Sequence, residues 1–185
     1  EELYAPFYFK NFIFTPNIKL IGLVYTNGPE DSVNQQTVAR FSGTLNRSWY
    51  RMYGNYRHSI TPYTQYTYLW TMNNPFAKHY LFDINDAYVP LNMLKIGVQS
   101  GLYTKRRGQP KEILGTDLYT LAFFNQDTMK TTFQNIHFTF NWHPFESFYN
   151  KINFLWDTQH HTIAHYNYHI SYAINENIAL DMELL

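Results

Sequence analysis

From Ile136 onward the chain alternates. Ile136, Phe138, Phe140 and Trp142 fall on one parity, and His137, Thr139 and Asn141 fall on the other. That is the period of a strand with one apolar and one polar face. His143-Pro144-Phe145-Glu146-Ser147 interrupts it as a turn. Phe148, Asn150, Ile152, Phe154 and Trp156 then alternate with Tyr149, Lys151, Asn153, Leu155 and Asp157, Asn150 being a polar intruder on the apolar parity. After the polar patch from Asp157 to His160, the residues Ala164, Tyr166, Tyr168, Ile170, Tyr172 and Ile174 alternate with His165, Asn167, His169 and Ser171. Asn175-Glu176-Asn177 turns the chain again, and Ile178, Leu180, Met182 and Leu184 alternate with Ala179, Asp181 and Glu183. Successive strands joined by short polar turns predict an up-and-down antiparallel meander.

Upstream the same texture is noisier. Leu94, Ile96, Val98 and Leu102 alternate with Lys95, Gly97, Gln99 and Gly101, followed by a polar loop from Lys105 to Glu112. Further strands are predicted over Phe7 to Thr15, Ile18 to Thr26, about Thr44 to Ile60, Tyr63 to Trp70 and Leu118 to Asn125, with Asn27 to Ser32 as the strongest loop signal. The expectation is an all-β chain of roughly ten strands without a helix. No composition break or low-complexity tract divides residues 1–185, so a single β domain is expected.

Two architectures satisfy this pattern. A soluble sandwich or barrel turns its apolar parity inward, whereas a transmembrane barrel turns it to lipid and the polar parity to a wet lumen. Composition favours the second. Aromatic residues make up 19% of the chain and charged residues 15%, against roughly 25% charged in typical globular proteins. Tyr and Trp carry an apolar body and a polar tip, which suits a membrane–water boundary. The strands run about 9–14 residues, beyond the usual five or six. Mean hydropathy is −0.42 and no run of apolar residues is long enough for a spanning helix, so a membrane reading rests on strands alone. There is no cysteine, which removes disulfides and thiolate metal sites. Fourteen basic residues balance fourteen acidic ones, and nucleic acid, which selects a basic excess, is not the expected partner.

The stretch from His58 to Tyr103 resembles a known family. His58-Ser59-Ile60-Thr61-Pro62 followed by Gln65-Tyr66-Thr67-Tyr68 is similar to one block of the LptD lipopolysaccharide-assembly (organic solvent tolerance) family. Phe82-Asp83-Ile84-Asn85-Asp86, then Asn92, Gly97-Val98-Gln99-Ser100 and Tyr103, is similar to a second. The motif positions are His58, Pro62, Gln65, Tyr66, Tyr68, Asp86, Asn92, Gly97, Ser100 and Tyr103. The two blocks cover about a quarter of the chain. The resemblance implies part of a Gram-negative outer-membrane barrel larger than ten strands can close, working without catalysis or cofactor. Its partners would be lipopolysaccharide, membrane lipid, a lipoprotein plug of the LptE type and the periplasmic Lpt bridge. The family's bridge-binding N-terminal jellyroll has no counterpart here, and family members with jellyroll-to-barrel disulfides differ from this Cys-free chain. An internal portion of a longer protein is therefore expected. A porin-like channel, or a soluble all-β ligand-binding domain with aromatic platforms, would fit the same alternation.

Several side chains invite chemistry. His161, His165 and His169 recur every four residues, with His160 adjacent. On a helix they would form a metal-binding stripe, but on a strand residues four apart lie about 13 Å from each other. His169 and Ser171 share a parity with Asn167, the minimum for an activated serine, yet no Gly-x-Ser-x-Gly elbow occurs. The expectation is that His165, Asn167 and His169 line a polar lumen. Arg47, Arg51 and Arg57 share a parity and would give that lumen positive potential for an anionic lipid, or form a structural ladder with acids. Lys105-Arg106-Arg107 reads as a loop cluster, either solvated or contacting phosphates and sugars.

Overall fold

A computed structural model describes residues 2–25, 34–72, 90–106, 108–124, 133–175 and 178–185. Twelve strands account for most of them: β1 Glu2–Tyr4, β2 Phe7–Phe9, β3 Phe12–Tyr25, β4 Asn34–Asn46, β5 Trp49–Tyr53, β6 Tyr56–Met72, β7 Leu91–Arg106, β8 Gln109–Phe123, β9 Asn135–Trp142, β10 Phe148–Asp157, β11 Thr162–Asn175 and β12 Ile178–Leu184. There is no helix among the described residues. The strands join one sheet in the order β1-β3-β4-β6-β7-β8-β9-β10-β11-β12, with β2 beside β3 and β5 beside β6. The registers described are all antiparallel. This is the up-and-down meander that alternation predicts.

The short strands are pieces of longer ones. β1 pairs Glu2 with Lys19 and β2 pairs Phe7 with Phe14, which is a single register along β3, broken at Ala5-Pro6. β5 lies along β6 in the same way beyond the break at Arg47-Ser48. Counted as continuous lines the strands number ten. Both breaks sit opposite a proline. The Ala5 N–H donates to the Pro16 carbonyl at 3.4 Å and the Arg47 N–H to the Pro62 carbonyl at 3.2 Å. Proline has no N–H to return the second bond of the pair, so the ladder is weakest there and the neighbouring strand gives way. At the second break Ser48 Oγ and Thr61 Oγ1 are hydrogen-bonded at 2.8 Å.

Several predicted boundaries move. The chain turns at Lys10-Asn11, where Lys10 takes φ 52°, and β3 runs straight through Pro16. The expected strands over Phe7 to Thr15 and Ile18 to Thr26 are therefore a hairpin with one long arm. The expected strand from Thr44 to Ile60 is three pieces. It contains the break at Arg47-Ser48 and a two-residue turn at Gly54-Asn55, where Gly54 supplies φ 57°. The polar loop from Lys105 to Glu112 shrinks to a tight turn at Gly108, φ 79°, because β7 continues to Arg106 and β8 starts at Gln109, well ahead of Leu118. β9 to β12 keep their predicted limits within about two residues. The loop over Asn27 to Ser32 lies outside the described residues.

The chain divides into two compact units, Glu1–Leu45 with Gln65–Leu94 and Phe123–Lys130, and Asn46–Thr64 with Lys95–Ala122 and Thr131–Leu185. In the first, Leu3, Phe7 and Phe9 face Ile18, Phe14 and Phe12 across the β1/β2–β3 ladder. A Cβ on Gly43 would meet the Phe14 ring at 3.0 Å, so glycine is what lets that ring lie flat against β4. In the second, the register builds apolar rows across the sheet. Thr116, Phe140, Ile152, Tyr168 and Leu184 align on β8 to β12, and Leu118, Phe138, Phe154 and Tyr166 on β8 to β11. The Phe138 and Phe154 rings meet tilted, with centroids 4.9 Å apart. Asp117, Thr139, Asn153 and Asn167 form the adjacent polar row on the opposite face.

The apolar rows are half-buried along their middle and exposed at their ends. The buried apolar side chains among the described residues are Val38, Ala39 and Ala122, while Leu184 is 53% exposed, Tyr166 44% and Leu118 42%. Each square ångström of apolar surface left in water forgoes about 25 cal/mol.

Candidate functional site

The polar face of β6 to β12 carries the best-defined cluster of functional groups. Lys95 on β7 lies at its centre. Its Nζ is 3.6 Å from Asp117 Oδ2 on β8, 3.6 Å from the centre of the Tyr119 ring and 5.1 Å from that of Tyr63. Tyr63 on β6 donates its hydroxyl to Asp117 Oδ1 at 2.9 Å, reaching across β7. His137 on β9 stacks flat on Tyr119, centroids 4.5 Å apart and planes within 5°. Alternation puts Lys95, Asp117, Tyr119 and His137 on one face, and adjacency in the strand order brings them together. Gly97 makes room for the crossing, since a Cβ there would come within 2.7 Å of Tyr119 Cβ and 2.8 Å of both the Leu118 carbonyl oxygen and the Tyr63 ring. The Lys95 and Asp117 side chains keep about a fifth of their surface, so the pair is a wet, ring-flanked clasp. Removing the Tyr63 hydroxyl by Tyr63→Phe should cost about 1 kcal/mol of stability, read as a lowered denaturant midpoint; an unchanged midpoint would mean the bond contributes nothing.

Beside the clasp is a cleft of about 350 Å³ lined by Ser59, Gln99, Glu112, Asp117, Thr139 and Asn141 among others. Its walls are hydroxyls, amides and carboxylates, the lining that hydrated or sugar-like groups prefer over acyl chains. Further along the face, Tyr149 donates to Asn141 Oδ1 at 3.4 Å and meets His169 edge-on at 5.6 Å. His169 Nε2 is 3.5 Å from Asp181 Oδ1, and Asn167 donates to Glu183 Oε1 at 2.8 Å.

His165, Asn167 and His169 thus lie on the polar parity of β11, each paired in register with Leu155, Asn153 and Lys151. Arg57 parts from Arg47 and Arg51. The two-residue turn at Gly54-Asn55 pairs Met52 with Arg57 and Arg51 with His58, so partners differ in parity and Arg51 and Arg57 fall on opposite faces. This corrects the shared parity read from the sequence, which holds only for an uninterrupted strand. Arg57 lies over Tyr50 at 5.4 Å and Tyr103 at 5.7 Å, Arg51 over Tyr53 at 5.3 Å, and Arg47, at the break, over Trp49 at 4.9 Å. Arg106 is likewise no loop residue. Its guanidinium donates to the His143 carbonyl at 3.4 Å and to the Pro144 carbonyl, fastening the end of β7 to the β9–β10 turn. Lys105 is exposed at the end of β7, and Arg107 lies outside the described residues.

The histidine series is split by the fold. His160 Nδ1 is 2.8 Å from Asp157 Oδ2, His161 sits in the turn with φ 53°, and His165 and His169 are on β11. Among the described residues no three His, Asp or Glu side chains converge as a metal site would need.

The family-motif positions disperse too. His58 Nε2 and Ser100 Oγ are hydrogen-bonded at 2.8 Å, and the Ser59 hydroxyl donates to the Gly101 carbonyl at 3.4 Å. Pro62 is the residue opposite the β4–β5 break. Gln65 lies on β6 with Tyr66 and Tyr68, the two tyrosines exposed. The Asn92 carbonyl accepts the Phe124 N–H at 2.8 Å, while its side-chain Oδ1 is buried without a partner. Gly97 and Tyr103 border the cluster, and Asp86 lies outside the described residues. The Lys95–Asp117–Tyr63 clasp was not legible in sequence, because its members come from three strands and the β8 strand was expected to start after Asp117. No family model matches the chain, and no curated protein matches it.

Proposed function

We propose that this chain forms part of the wall of a transmembrane β-barrel in the outer membrane, and that the barrel carries lipopolysaccharide to the cell surface. One observation carries the membrane part: an aromatic and aliphatic face, continuous across β8 to β12, half-buried along its middle and exposed at its ends. Several strands, β6 and β7 with 17 and 16 residues among them, exceed the roughly 9–11 residues a tilted strand needs to cross a bilayer. The opposite face, with its clasp, its polar cleft and its His, Asn and acid pairs, supplies a wetted path. The lipopolysaccharide assignment rests on the two LptD-like blocks around His58 and Asp86. With it come a lipoprotein plug, a periplasmic bridge engaged through another domain, and transport without catalysis.

Two measurements test this. Spin labels at Phe138, Phe140 and Tyr168 should be relaxed by a lipid-soluble quencher, and labels at Thr139 and Asn167 by a water-soluble one. The reverse pattern would point to a soluble β domain with its apolar face inward. A photo-crosslinker at Asn167 or His169 in cells should capture lipopolysaccharide or the plug lipoprotein. Steady ion conductance with no such adduct would replace the transporter by a porin-like channel.

A further inference from the structure

The β5–β6 hairpin places a polar row among aromatic side chains. Arg51 on β5 is in register with His58 on β6, and His58 is hydrogen-bonded to Ser100 on β7 at 2.8 Å. Three polar side chains thus stand side by side on three neighbouring strands. The residues around them on the same face are Trp49, Tyr53, Tyr56 and Ile60, paired across the same ladder and between 42% and 52% exposed. Buried in hydrocarbon, such a row would be costly. Its position suggests another surrounding. Arg51 and His58 each lie three residues from the Gly54-Asn55 turn, about 10 Å along the strand. That is the depth of the headgroup layer when a hairpin tip projects past it.

Charge points the same way. Between Ser32 and Phe82 the sequence has no Asp or Glu, although the whole chain is neutral. The hairpin lies inside this stretch with Arg51, Arg57 and His58. Among the described residues Arg51 has no carboxylate at ion-pair distance, and its guanidinium rests over the Tyr53 ring at 5.3 Å. A planar fork of donors beside a second imidazole nitrogen and a serine hydroxyl is a phosphate-binding set, and the flanking indole and phenol rings suit the acyl-glycerol boundary below it.

We infer that Arg51 and His58, the latter held by Ser100, bind the phosphate of an anionic membrane lipid on the outside of the sheet, away from the clasp on the polar face proposed for cargo. The site rests on the membrane reading given above, and it adds a fixed annular lipid to it. Arg51 provides the charge and the bidentate contact, Ser100 holds His58 in place, and Tyr53 keeps the guanidinium level with the headgroups.

Native mass spectrometry of the protein released from phosphatidylcholine nanodiscs, with and without phosphatidylglycerol, tests it. The wild-type protein should retain phosphatidylglycerol in preference to phosphatidylcholine. Arg51→Gln should lower that retention about fivefold, the ratio given by about 1 kcal/mol per basic residue at an anionic surface. Ser100→Ala should lower it by a smaller factor, and Lys151→Gln, which removes a charge from the opposite face, should leave it unchanged. Equal retention of the two lipids by the wild type, or equal losses in Arg51→Gln and Lys151→Gln, would overturn the site while leaving the membrane reading intact. Displacement of the lipid by excess inorganic phosphate would overturn it too, as the mark of a soluble-anion site. Failure of the protein to integrate into the nanodisc would overturn both readings together.

Discussion

Phe140→Arg is expected to destabilise the protein in a bilayer by roughly 2–4 kcal/mol, while Thr139→Arg, one residue away, should cost much less. Phe140 belongs to the row Thr116, Phe140, Ile152, Tyr168 and Leu184. Thr116, Ile152 and Tyr168 each fall near the middle of their strands, so the row lies at mid-height, where in the proposed membrane barrel a guanidinium would meet hydrocarbon with no short route to water. Thr139 points the other way, in register with Asp117 and Asn153, where an arginine finds a carboxylate and solvent. Denaturant titration of both variants folded into lipid vesicles gives the two costs. Equal costs would show that the faces do not differ in surroundings, and a larger cost at Thr139 would reverse the assignment.

Gly97→Ala should cost roughly 1–3 kcal/mol, the usual range for forcing atoms into a filled site. The added methyl would lie 2.7 Å from Tyr119 Cβ and 2.8 Å from both the Leu118 carbonyl oxygen and the Tyr63 ring. Only the ring can swing away, and doing so breaks its hydroxyl bond to Asp117. Tyr63→Ala in the same chain should therefore restore only part of the loss, because the contacts with β8 itself remain. Gly22→Ala on β3, where nothing lies within 4 Å, is the matched control and should be close to neutral or mildly stabilising. A Gly97→Ala variant as stable as Gly22→Ala would mean that the strands separate easily at this point, contrary to the crossing of Tyr63 over β7.

The histidines and arginines show where sequence reading succeeds and where it stops. His165, Asn167 and His169 sit on a strand whose limits are clear, so parity alone assigns their face, and the structure adds their partners Glu183 and Asp181. Arg51 and Arg57 look equivalent by parity, but Gly54-Asn55 is a turn. A two-residue reversal pairs residues of opposite parity, so the two arginines separate. The turn signal is present in the residues themselves. It was obscured because the flanking Trp49, Tyr50, Tyr53 and Tyr56 are strong β-formers that read as one continuous strand. At Pro16 the error runs the other way. A proline inside a long strand reads as a break, yet β3 continues and the neighbouring strand is interrupted instead, since the missing N–H belongs to the ladder between them.

By itself the sequence determined what is local: the period of two, the segregation of aromatic from polar parity, and the short turns that make each strand pair with the next. These follow from side-chain direction along an extended backbone, which needs no knowledge of neighbours. Only the tertiary structure decided which side chains meet. Lys95, Asp117, Tyr63 and Tyr119 form a clasp because β6, β7 and β8 lie side by side at one register, with a glycine at the crossing. Arg51, His58 and Ser100 form a row because three strands align at the height of one hairpin. Register between strands is fixed by turn geometry and by ladder bonds gained or lost at particular residues, and these are properties of pairs of segments that no single segment displays.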